Sequence, residues 1–194
     1  MMRHSRQIIL ASMLICSQPS WAQEAGSDRG DVGVDGNVAP LCILGAPSPA
    51  VVDLGQLVNT SGQRIGRIAT IADRQITLAG SFCNFAGSTM SVEVSALQPT
   101  QSIALPYGFA QAVNYSVSAG NWAASPTTAT SAAAADGTMP TRSASGAVQT
   151  LPRIADIAVT LTGFAVPADS LLVSGTYQGA VVITLGPAAS IGAN

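Results

Sequence analysis

The chain has no lysine, and its one histidine, His4, lies close to the N-terminus. It is also poor in charge: no Asp, Glu, Lys, Arg or His stands between Glu93 and Asp136, or after Asp169. Each gap excludes chemistry. Without His or Lys beyond residue 22 there is no Ser-His-Asp triad, Ser-Lys dyad, Schiff base or His metal ligand. With six Arg against ten acidic residues, residues 23–194 carry a net charge of −4. No basic patch is left to follow a phosphate backbone, which argues against nucleic-acid binding. Long charged runs are missing too, so the chain does not read as acidic and disordered.

Cysteine is scarce, and its positions matter. The N-terminus carries Arg3 and Arg6. An apolar run, Ile8-Ile9-Leu10-Ala11-Ser12-Met13-Leu14-Ile15-Cys16, follows, and Ser20-Trp21-Ala22 sets small residues at −3 and −1 before Gln23. This is the pattern of a secretory signal, residues 1–22, too short for a membrane span. Ile15 stands where a lipobox before Cys16 needs a small residue. Cleavage after Ala22 removes Cys16 and leaves Cys42 and Cys83. In an exported chain such a pair reads as a structural disulfide. The expectations are export to periplasm, cell surface or medium, and no metal or other cofactor.

The dominant period is two. Met90, Val92, Val94 and Ala96 share one face; so do Val113, Tyr115 and Val117, and Ile157, Val159 and Leu161. Tyr177, Val181, Ile183 and Leu185 make another such face, and Ile76, Leu78 and Phe82 a further one leading into Cys83. These are half-buried antiparallel strands. Residues 38–44 and 51–58 are less regular, with Pro40, Pro47 and Pro49 confining them to edges or bends. No segment offers an amphipathic helix. The expected fold is all-β, an antiparallel sandwich, with a barrel as the alternative. The C-terminal apolar stretch is interrupted by Gly175, Gly179, Gly186 and Pro187 and alternates, so it reads as a strand and not a membrane anchor.

Residues 23–37 read as a mobile arm with Val32 and Val34 as alternating apolar positions, and 38–187 as the sandwich domain. Residues 118–152, rich in Ala, Ser and Thr, read as a long surface loop with a short strand around 145–151. Residues 188–194 form a tail. Trp122, at the mouth of the long loop, reads first as an anchor of the loop root to the core; the alternative, a sugar-stacking platform, makes it the candidate ligand contact. Six carboxylates (Asp53, Asp73, Glu93, Asp136, Asp156 and Asp169) are scattered, and a carboxylate-dependent hydrolase needs two of them in one cleft. The stretch Asp31-Val-Gly-Val-Asp35-Gly-Asn37 departs from a calcium loop at Gly33 and Cys42. Arg29-Gly30-Asp31 is an integrin-type tripeptide, a match short enough to arise by chance.

Cys42 follows a first short strand, Cys83 ends Arg74-Gln-Ile-Thr-Leu-Ala-Gly-Ser-Phe-Cys83, and the chain closes with Ser174-Gly-Thr-Tyr177-Gln-Gly-Ala-Val-Val-Ile-Thr-Leu185. Over residues 38–187 this resembles the spore coat U-type pilin subunits of chaperone–usher systems. The resemblance implies an immunoglobulin-like sandwich that lacks its last strand or completes itself, with the disulfide stapling the first two strands. It implies a periplasmic chaperone, an usher and like subunits as partners, and a non-enzymatic structural or adhesive role through strand complementation. Val32 and Val34 would then belong to the donor arm, and Tyr177, Val181, Ile183 and Leu185 to the strand-accepting groove. The arm is short of apolar residues for a donor, and the tail lacks an aromatic near its end. The alternative function is therefore a self-contained, lectin-like secreted module that does not polymerise.

Overall fold

The computed structural model describes residues 29–101, 103–138 and 142–188. The signal sequence and most of the tail lie outside them. The chain divides into two units, Met1–Asn37 and Val38–Asn194. In the first, residues 29–37 form neither strand nor helix, and Val32 and Val34 are 86% and 90% exposed.

The second unit is built from strands β1 (Cys42–Ile43), β2 (Pro47–Ser48), β3 (Arg74–Cys83), β4 (Ser88–Val94), β5 (Gln98–Pro99), β6 (Phe109–Ala110) and β7 (Asn114–Gly120). It continues with β8 (Thr127–Thr130), β9 (Arg142–Ser145), β10 (Arg153–Ala165), β11 (Leu171–Leu172), β12 (Tyr177–Gln178) and β13 (Val181–Pro187). A single 3-10 turn, Pro167–Asp169, is the one helical element among the described residues. The fold is all-β.

Two sheets carry the core. One runs β1-β3-β10-β7-β8, with β2 continuing the edge of β3 beyond β1; the other runs β13-β4-β9. All their pairings are antiparallel. The alternating faces read from the sequence meet between them: Met90, Val92, Val94, Tyr115, Val117, Ile157 and Val159 are each 3% exposed or less. Small flanking pairs, β5 with β12 and β6 with β11, cap one end over a second cluster that includes Ala110, Val113, Val166 and Leu172.

Two local expectations, on β3 and on residues 118–152, are corrected. In β3 the alternation breaks: Ile76 and Leu78 point inward, but so do Ser81 and Cys83, leaving Phe82 off the core face. A register shift between Ala155 and Ile157 marks a bulge there, and Gly80 at φ 67° absorbs it. Asp156 accepts the Gly80 N–H at 2.8 Å, so this carboxylate braces the bulge. Residues 118–152 are not one surface loop: β8 and β9 lie within them, and the strand expected at 145–151 comes earlier, ending at Ser145. Residues 38–44 supply only the two-residue β1, and 51–58 no strand, with an isolated bridge at Val58.

One side of the sandwich is closed. β8 packs against β9 and β4, and a side chain at Gly146 would collide with the Thr127 hydroxyl. The opposite side is where the functional candidate lies.

Candidate functional site: an open groove between two unpaired edges

β13 is an edge strand, paired among the described residues only with β4. Ser95 N–H donates to Ala180 C=O at one end of this pair, and Ala188 N–H to Gly87 C=O at the other, each at 3.0 Å. Antiparallel pairing alternates between bonded and non-bonded residues. Val182, Thr184 and Gly186 therefore exchange bonds with β4. Val181, Ile183 and Leu185 turn their N–H and C=O groups away from it, toward the open side. Pro187 has no N–H and ends the usable edge.

The facing wall is the segment after β2. Residues 51–55 alternate exposed and half-buried, with Val52 and Leu54 turned inward, yet no ladder partner binds them among the described residues. Asp53 Oδ1 accepts the Gly55 N–H at 2.8 Å and shapes the turn that follows. This wall is anchored at its start. The Cys42–Cys83 disulfide joins β1 to β3, opposite each other in register. Gly45 N–H donates to Ser81 Oγ at 3.0 Å, and any Cβ at Gly45 would overlap the Ala79 backbone. The first segment is thus pressed onto β3 and then released. Near β1 the two walls approach each other, since β1 lies against β13.

Between the walls lies a groove of about 1120 Å³. Its floor includes Leu78, Val159, Leu161, Tyr115 and Phe164, and its rims come from residues 44–58 and 173–183. Tyr115 and Phe164 stack with ring centroids 5.6 Å apart. Burial pushes the Tyr115 phenol up to about 12. Its hydroxyl donates to the Ala180 carbonyl at 3.3 Å, tying floor to rim. The Tyr177 hydroxyl donates to Val173 C=O at 2.9 Å, and burial raises its pKa too. Asp53 is the one charged side chain on the lining among the described residues.

The structure brings together three of the four groove residues expected from sequence: Tyr177, Val181 and Ile183 line it. Leu185 does not; it packs against the main core farther along β13. The side chains sequence reasoning missed are Val52, Leu54 and Leu57 on the far wall and Phe164 on the floor. Alternation at Val52 and Leu54 was a signal, obscured by the prolines before it.

Trp122 takes the anchor role, and the sugar-platform alternative is the one overturned. The side chain is fully buried in the core, so it presents no face to a sugar and anchors the turn after β7. The carboxylates stay apart. Asp169 binds Arg64 and Arg67; the hydrogen bond from Arg64 chiefly holds it below the usual carboxylate range. Asp136 is lowered by the Thr138 N–H and lines a separate hollow of about 190 Å³. Glu93 is exposed on β4. Among the described residues no group of three or more His, Cys, Asp or Glu is placed to hold a metal. No described helix is long and apolar enough to cross a membrane. Arg29 pairs with Asp31 at 3.1 Å within the exposed arm, so the two ends of the Arg-Gly-Asp tripeptide engage each other. Comparisons with family models, curated proteins and solved structures returned no match.

Proposed function

We propose that the chain is an exported, non-enzymatic structural or adhesive subunit that takes a β-strand from another chain into this groove. One observation carries the reading: the groove lies between the outward edge of β13, Val181 to Leu185, which has no ladder partner on that side among the described residues, and the segment 51–55, whose alternating burial turns Val52 and Leu54 inward. An exposed edge over an apolar floor is a template for strand addition. The incoming backbone satisfies the outward N–H and C=O groups, and its alternate side chains fill the space between the sheets. The resemblance to spore coat U-type and pilin subunits supports the same mode. It makes a periplasmic chaperone, an usher and like subunits the proposed partners. The disulfide and the signal-like N-terminus support an oxidising destination.

The test is titration of the purified chain with short peptides of alternating aliphatic residues, its own arm sequence among them. Strand uptake raises Tm with peptide concentration, growing with the logarithm of peptide once its concentration exceeds Kd. A chain whose melting and oligomeric state answer to none of the peptides is not a strand acceptor.

A further inference from the structure

The groove and the chain's own arm are poorly matched, in bulk and in charge. In a strand conformation the arm's apolar face would carry Val32, Val34 and Gly36 in succession, with Gly30 before them. A groove of about 1120 Å³ is larger than most ligand pockets, which run to roughly 1,000 Å³. Its floor is set for deep side chains, since the Tyr115 and Phe164 rings lie at its base. Cores are packed to crystal density, so a glycine facing that floor leaves a void. The arm's other face carries Arg29, Asp31 and Asp35; Arg29 is engaged with Asp31, which leaves a net negative charge at Asp35, and the charge on the groove lining is Asp53. Like charges on neighbouring strands repel.

Resting on the strand-uptake reading, we propose that the groove's occupant is an extended segment of a different protein. That segment carries bulky aliphatic or aromatic side chains at alternate inward positions and a Lys or Arg outward, beside Asp53. A second copy of this chain, offering residues 29–39, is the weaker ligand. The chain then acts as an acceptor for unlike partners, with its own arm serving another surface.

Labelled peptides titrated into the purified chain separate the possibilities. The reference peptide is the arm sequence 29–39. A filled version carries Val32→Leu, Val34→Ile and Gly36→Leu, and a charge version adds Asp31→Lys and Asp35→Lys. Each buried methylene strengthens binding severalfold, so the filled peptide is expected to bind at least about tenfold tighter than the arm. The lysines are expected to add a further gain that falls as salt rises and disappears in the Asp53→Asn chain. An arm peptide that binds as tightly as the filled one overturns the proposal and makes a second copy the occupant. A lysine effect that persists in Asp53→Asn overturns the charge match. If no peptide binds, the strand-uptake reading itself fails.

Discussion

Cys42 and Cys83 sit opposite each other on β1 and β3, and β1 has only one other residue pair in the ladder. The disulfide is the covalent tie at the start of the groove wall, beside hydrogen bonds between Leu41 and Asn84 and from the Gly45 N–H to Ser81 Oγ. It closes a loop of sequence separation 41. The chain-entropy model gives such a closure about 4 kcal/mol. Paired Cys42→Ser and Cys83→Ser substitutions are expected to lower unfolding free energy by about that amount, measured by denaturant titration. Tyr115 makes a second residue-scale prediction. Its pKa is raised, so the folded state favours the neutral phenol. That contribution is complete below the ordinary tyrosine value of about 10, and is lost as pH rises through about 12. Tyr115→Phe is expected to flatten this alkaline limb in melting curves taken against pH. The cysteine pairing was legible in the sequence, because reading residues 1–22 as a signal sets Cys16 aside and leaves each remaining cysteine one partner. The burial of Trp122 was readable too, as the anchor of a loop root. The turn at Asn121, with φ 70°, that folds it back from β7 was not, since no local pattern in small residues encodes it.

Strand faces were legible where bulky residues alternate with polar ones, as in β4, β7 and β10. They were illegible where the strands are built of Thr, Ala and Ser. β8 (Thr-Thr-Ala-Thr) and β9 (Arg-Ser-Ala-Ser) carry no strong hydrophobic period, and their burial comes from the sheets that meet around them. The bulge at Gly80 was hidden for a different reason. A glycine in a strand pattern permits a change of face without requiring one. At the scale of β13, half-burial is the telling feature: Val181, Ile183 and Leu185 have the alternation of a core strand but keep partial exposure. Ile183→Asp is expected to leave the unoccupied chain folded, with a loss within about 1–3 kcal/mol. The same substitution is expected to abolish peptide-induced stabilisation, because an added strand would bury an unpaired carboxylate. Circular dichroism melts with and without peptide check both halves.

For the whole molecule, the open groove on one side of the sandwich is the feature to be explained. The sandwich is closed on the β8–β9 side and open on the other. Sequence named the open strand but not the wall facing it, since an unpaired edge is a property of the sheet order and not of any one segment. The central claim is that an incoming strand pairs with β13. Amide hydrogen exchange at Val181, Ile183 and Leu185 tests it most directly, read residue by residue with and without a bulky alternating peptide. The account predicts fast exchange at these three amides in the free chain and strong protection once peptide is bound, while Val182 and Thr184 are already slow. Equal exchange at Val181, Ile183 and Leu185 in the free chain and in the peptide-saturated chain would contradict it.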